Sequence, residues 1–221
     1  MKNFLIKTND KSHTIFSQQF NELYHSVHGA IQESEHIFIK SGLNSYDHSQ
    51  HLHILEIGFG TGLNALLTLI ESHKLSLNIN YTCIEAYPVS LSTVTQLNYI
   101  DMLNATLYFD SFQIMHQASN NTPIQIGNNF TFKKIIGKIE NYELNNHFDI
   151  IYFDPFGPDT QPELWTETIF KKLFAITIEN GFLITYCSKG VVKRNLIKSG
   201  FIIQNLPGPP GKREITKAIK P

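Results

Sequence analysis

The stretch that most constrains this chain is LEIGFGTGLNALLTL, residues 55–69. An apolar run of strand length meets three glycines at alternate positions, and apolar residues at helical spacing follow. A strand–glycine turn–helix unit is a cradle for a ligand, because glycine lets backbone come close to a bound group. Two familiar cradles are excluded by spacing. The dinucleotide fingerprint G-x-G-x-x-G fails at its last glycine, since the series here is Gly58, Gly60, Gly62. The triphosphate loop needs G-x-x-x-x-G-K-[ST], and no lysine follows. What remains is an acid, Glu56, two residues before G-x-G-x-G, which suits a ligand that is cationic near the strand end.

From His53 on, strand-like and helix-like runs alternate: HILEIG, LNALLTLIESHK, INYTCIEA, PVSLSTVTQLNYI, FTFKKIIG and FDIIYFD. PELWTETIFKKLFAITI then reads as a helix ended by Asn180-Gly181, followed by the strand FLITYCS and the helix VVKRNLIKSG. Such alternation predicts an α/β fold with a mostly parallel sheet. FIIQNL and REITKAIK, joined by PGPPGK without a helix, predict an antiparallel pair at one edge. Residues 104–130 show no clear period and read as an excursion between units. Residues 1–50 are polar, with short strand-like pieces FLIKT and HIFIK, and read as an extension packed on a main domain of residues 51–221.

Open parallel sheets bind ligands beyond the carboxyl ends of their strands, where Glu56, Glu85 and Asp154 all fall. Glu85 is placed to accept hydrogen bonds from ribose hydroxyls. Asp154 opens the stiff turn DPFGP, whose shortage of N–H donors predicts carbonyls facing the site. A carboxylate there can orient a polar group and take its proton.

Charge is uneven. The chain carries 18 basic and 19 acidic residues, yet eight of the basic ones and a single acid lie from Lys189 to the end. That asymmetry points to a polyanionic partner. Cys83 and Cys187 read as reduced core residues, and His48, His51 and His53 as loop histidines, so no metal is expected. No apolar run approaches the ~20 residues of a membrane span, and no signal-peptide core is present, so the chain is expected to be cytoplasmic.

Together these residues resemble a known family. Glu56 with the alternate glycines is similar to the first motif of Rossmann-like class I S-adenosylmethionine-dependent methyltransferases, and DPF resembles the motif of those acting on exocyclic amines. HGAIQESEHIFI (28–39), GFGTGLN, YTCIEAYP, DPFGPDTQPELWT, TYCSKGVVKRNL and GKREITKA occur in the order found in the methyltransferase half of the MnmC-like tRNA 5-methylaminomethyl-2-thiouridine enzymes. The resemblance implies an enzyme that uses S-adenosylmethionine to methylate the 5-aminomethyl group of (2-thio)uridine at the tRNA wobble position. It further implies a stand-alone form, with any flavin-dependent oxidase activity coming from a separate protein. Carried over by position, Glu56, Gly58, Phe59, Gly60, Thr61, Gly62, Asn64, Glu85 and Asp154 would line the cofactor site. Asp154 and Phe156 would face the acceptor amine, while Lys189, Lys193, Arg194, Lys212 and Arg213 would hold the anticodon arm through its phosphates. Trp165 reads as core. One departure stands out: the family's Gly-Asp after the third strand is here Gly137-Lys138, and lysine accepts no hydrogen bond. Glu140 or backbone would then serve the adenine. Two other readings stay open: a same-fold methyltransferase acting on a small-molecule amine or another nucleic-acid amine, and a non-catalytic module that binds RNA or a partner.

Overall fold

The computed structural model describes residues 3–46, 51–144 and 146–221. A three-stranded antiparallel sheet opens the chain: β1 (Asn3–Lys7), β2 (His13–Ser17) and β3 (Glu22–Leu23). Helix α1 (Ala30–Ser34) runs on into a π-helical stretch, Glu35–Lys40. HIFIK is therefore helical rather than a strand. Its apolar residues Ile37, Phe38 and Ile39 are all buried, and the wider π turn brings consecutive side chains inward. The expected domain break at residue 50 and His48 lie outside the described residues.

The main sheet has eight strands in the order β10-β11-β9-β8-β4-β5-β7-β6. Its centre is parallel and built from β4 (His51–Ile57), β5 (Asn78–Glu85), β7 (Phe130–Ile136), β8 (Phe148–Phe153) and β9 (Thr177–Thr185). The antiparallel pair β10 (Ile202–Pro207) and β11 (Glu214–Ile219) closes one edge as expected. The other edge also ends antiparallel. β6 (Pro123–Ile126) pairs with β7, and α5 (Phe109–Gln117) precedes it, so the unreadable region is a helix and a hairpin strand.

Helix α2 (Leu63–Leu75) follows the glycine turn as predicted. The predicted helix over 88–100 is instead two short turns, α3 (Leu91–Val94) and α4 (Tyr99–Met102). The helix predicted from 162 starts as a 3-10 turn at Pro162–Trp165 and becomes α6 (Glu167–Ile176). It stops at Thr177, before Asn180-Gly181, and those residues lie inside β9. The last helix is α7 (Gly190–Lys198).

Alternate residues of β4 feed two cores. Leu52 and Ile54 pack with Leu66, Tyr81, Phe112 and Phe132 on one face. Leu55 and Ile57 pack with Phe153, Trp165, Phe170 and Leu196 on the other. All six residues of β8 are buried, as a doubly covered parallel strand requires. Cys83 and Cys187 are free and buried. Among the described residues no helix is long and apolar enough to cross a membrane. Strand order reverses where β4 lies between β5 and β8, and a crevice opens at the carboxyl ends of those three strands.

Candidate active site

Backbone hydrogen bonds past the ends of the parallel strands fix the glycine turn. The Gly58 N–H donates to the Ile84 carbonyl at 3.0 Å, and the Asp154 N–H donates to the Ile57 carbonyl at 2.9 Å. Gly58 sits at φ +91°, where a Cβ would lie 2.7 Å from the Asp154 carbonyl oxygen. Glu85, at the end of β5, ties the turn to its neighbour: one carboxylate oxygen accepts the Gly60 N–H at 2.7 Å and the other the Tyr87 N–H at 2.6 Å. Each oxygen keeps a lone pair for a further donor. Burial pushes the Glu85 carboxyl upward and these two bonds draw it back.

The crevice holds a cavity of about 670 Å³. Its wall includes Gly58, Phe59, Gly60, Thr61, Asn64, Glu85, Asp154 and Phe156. Glu56 and Gly62 are not on it. Glu56 is fully buried one layer down, where Asn64 Nδ2 donates to Glu56 Oε1 at 3.0 Å and to Asp154 Oδ2 at 2.9 Å. One amide nitrogen thus bridges both carboxyl groups. Glu56 Oε2 and Asn64 Oδ1 are buried without a hydrogen-bond partner among the described residues. Burial raises the Glu56 carboxyl well above its ordinary value, and the Asn64 bond opposes that rise. Glu56 therefore reaches the cavity only through Asn64.

Asp154 shows the same conflict at the wall. Burial pushes its carboxyl up to about 8, and the Glu33 carboxylate adds to this, against the Asn64 bond and the Lys212 ammonium. The turn after it is held by side chains. Tyr186 Oη donates to the Pro155 carbonyl at 2.9 Å and Trp165 Nε1 to the Phe156 carbonyl at 2.9 Å. The Thr160 and Gln161 N–H groups both donate to the Gly157 carbonyl. These carbonyls are consumed within the protein, which corrects the expectation that they face the site. Buried Trp165 is core, and through its indole N–H it also anchors the Phe156 backbone.

The N-terminal sheet supplies wall residues that sequence reasoning missed. Phe20, Glu22, Tyr24 and His25 line the cavity. The Phe156 ring packs at 4.7 Å from Phe20 and 5.0 Å from Tyr24. Their only sequence signal was the aromatic spacing in QQFNELYHS, in a stretch whose partner lies some 130 residues away. Gly137, Lys138, Ile139 and Glu140 also line the cavity, so both the departing lysine and its expected substitute are present.

Of the five basic residues, only Lys212 lines the cavity, and it pairs with Glu33 at 2.5 Å. Lys189 pairs with Asp159, and Lys193 with Glu214 at 2.7 Å. Arg194 and Arg213 are exposed and have no ion-pair partner among the described residues.

Two histidines grip the glycine turn at Thr61. His116 Nε2 donates to the Thr61 carbonyl at 3.1 Å, and His25 Nε2 lies 3.4 Å from the Thr61 hydroxyl. Burial holds both near pKa 4. Their neutral forms stabilise the fold fully above about pH 6.5, and that contribution is lost as pH falls toward 4. Glu56, Glu85 and Asp154 push the other way, since their burial favours protonation. A comparison of slopes separates the two. Between pH 6.5 and 4.5 the parent's melting temperature should fall more than that of His25→Gln/His116→Gln. Equal slopes would mean that the histidines are not held neutral.

A family model described as S-adenosyl-L-methionine-dependent methyltransferase matches residues 92–221, more than half of the chain. The bifunctional protein MnmC of Leptospira interrogans, named for tRNA 5-methylaminomethyl-2-thiouridine biosynthesis, is 28% identical over 91% of this chain. The protein of the same name from Magnetococcus marinus is 28% identical over 93%. The chain spans about a third of the length of these curated relatives, 33% and 32%. Among solved structures, MNMC2 from Aquifex aeolicus superposes with a TM-score of 0.79 at 23% identity, covering 98% of this chain and 69% of that one. Spermidine synthase from Thermotoga maritima gives 0.61 at 15% identity, covering 99% and 72%.

Proposed function

The chain belongs to the S-adenosyl-L-methionine-dependent methyltransferases, and on that footing we propose that it methylates the exocyclic amine of 5-aminomethyl(-2-thio)uridine at the tRNA wobble position. The observation that carries this reading is Asp154, a carboxyl on the cavity wall pushed up to about 8 by burial. An alkylamine titrates near lysine's ~10.4 and is mostly an ammonium at neutral pH. A carboxylate at its ordinary value is a poor base for it. Raised to about 8, it comes within roughly two units of the ammonium and can take its proton.

The residues present fit S-adenosylmethionine. The cavity has the volume of a small-ligand site, Gly58 leaves no room for a Cβ, and Glu85 is fixed with acceptor capacity to spare. When bound there, the cofactor supplies an electrophilic methyl group on a sulfonium. Gly58, Phe59, Gly60, Thr61, Asn64 and Glu85 would hold it. Glu56 would act beneath them by fixing Asn64, and Gly62 by starting α2. Asn64 orients Asp154, and Phe156 with Phe20 and Tyr24 would close over the acceptor and exclude water. Exposed Arg194 and Arg213, with Lys189 and Lys193, would hold the anticodon arm by its phosphates. The reaction would take place in the cytoplasm, on an amine that an oxidase activity exposes.

The direct test uses labelled S-adenosylmethionine and tRNA carrying 5-aminomethyluridine, followed by nucleoside analysis. Label is expected in the wobble nucleoside as its methylamino form. Label only in small amines added as competitors would replace the tRNA reading with the small-molecule one.

A further inference from the structure

The chain places an alkylammonium of its own in the cavity. Lys212 comes from the Pro-Gly loop between β10 and β11, and its Nζ lies 2.5 Å from Glu33 Oε1. The same Nζ sits 4.3 Å from the centroid of the Tyr186 ring. A carboxylate and an aromatic face are the groups that recognise a primary ammonium by charge-assisted hydrogen bonding and cation–π attraction. Both are held independently of the lysine. The other Glu33 oxygen accepts the Ser26 N–H at 2.9 Å, and the Glu33 side chain is only 11% exposed. The Tyr186 hydroxyl is spent on the Pro155 carbonyl, which fixes its ring beside the Asp154 turn. All four residues, Glu33, Tyr186, Lys212 and Asp154, line one cavity. Both charges of the Glu33–Lys212 pair are felt at Asp154. Lys212 itself keeps 29% of its side chain in solvent.

We propose that Glu33 and Tyr186 form a subsite for a primary alkylammonium group, held in this structure by Lys212, and that the acceptor's aminomethyl group takes it over on binding. The proposal rests on the amine-acceptor reading above. It gives Lys212 two positions, one filling the subsite and one free to meet a phosphate of the incoming polyanion. Occupancy by the lysine also keeps adventitious cations away from Asp154 until a substrate with the right amine competes.

Propylammonium chloride is the probe, titrated calorimetrically into the full chain against potassium chloride at equal ionic strength. A lysine that fills the subsite about 90% of the time weakens apparent affinity about tenfold. Lys212→Met should therefore bind propylammonium about 10-fold more tightly than the parent. Adding Glu33→Gln to Lys212→Met should abolish the gain, and Lys212→Arg, still cationic, should bind no better than the parent. Lys212→Gln serves in place of Lys212→Met if melting shows the latter unfolded. Equal affinity in parent and Lys212→Met, or a gain that survives Glu33→Gln, overturns the subsite. Failure of the two readings is distinguishable. A gain on Lys212→Met with no methylation of tRNA leaves the subsite standing without the tRNA acceptor; methylated tRNA without the gain does the reverse.

Discussion

Asp154→Asn is expected to lower methyl transfer at pH 7 by about 10²-fold while S-adenosylhomocysteine affinity stays within a few-fold of the parent's. Asparagine keeps an oxygen that can accept from Asn64 Nδ2, so the bridge at 2.9 Å and the turn after it survive. What it loses is the proton acceptor. With an amine titrating near ~10.4, only about one acceptor in 10³ is neutral at pH 7 and the variant depends on that fraction, whereas about a tenth of the parent's Asp154, at about 8, is ionised there. Its rate should therefore climb about tenfold per pH unit between pH 7 and 9. The parent's kcat/KM should instead rise only until Asp154 is ionised and level off above about pH 8. Two pH profiles check this. A variant that turns over at the parent's rate at pH 7 would remove Asp154 from proton transfer, and a variant with the parent's profile would assign the pH dependence to another group.

Much of this site was legible because it is local. The glycine turn declares itself through an apolar strand, residues that tolerate positive φ, and helical spacing in α2. β8 declares itself through six consecutive apolar or buried positions. The carboxyl-end placement of Glu85 and Asp154 follows once the sheet is known to be parallel. Depth was not legible. Spacing located Glu56 at the strand end, but only packing shows it sealed beneath Asn64. Turn residues also misled. Asn180 has φ +63° and Gly181 follows it, which reads as a helix stop. The structure uses the pair within β9, where the pairing with β8 jumps from Phe148↔Thr177 to Ile150↔Phe182, and a bulge of this kind also accommodates a left-handed residue. The cavity wall at Phe20–His25 had only an aromatic spacing as its local signal. Its function depends on meeting Phe156, and no periodicity within residues 17–25 encodes that meeting.

Gly58→Ala should be the most damaging single-methyl change near the site, with about 100-fold weaker S-adenosylhomocysteine binding and a lowered melting temperature. Two costs add. The backbone at φ +91° is strained for any residue with a Cβ, by about 1–3 kcal/mol. The new methyl would also stand 2.7 Å from the Asp154 carbonyl oxygen and 3.0 Å from its carbon. Those atoms cannot drift away, because Gly58 is hydrogen-bonded to Ile84 and Asp154 to Ile57, each an extension of the central ladder. Relief must come from the turn itself, which displaces Gly60 from Glu85 and the cavity wall with it. Every 1.4 kcal/mol is tenfold in affinity, so strain of this size gives the stated loss. Gly157→Ala is the matched comparison. A Cβ there meets only Glu22 Oε1 and Tyr186 Oη, both at 3.6 Å, an ordinary contact distance. It should bind S-adenosylhomocysteine and melt as the parent does. If Gly58→Ala behaves like Gly157→Ala, the glycine turn tolerates a side chain and cannot be the close-approach surface on which the cofactor assignment depends.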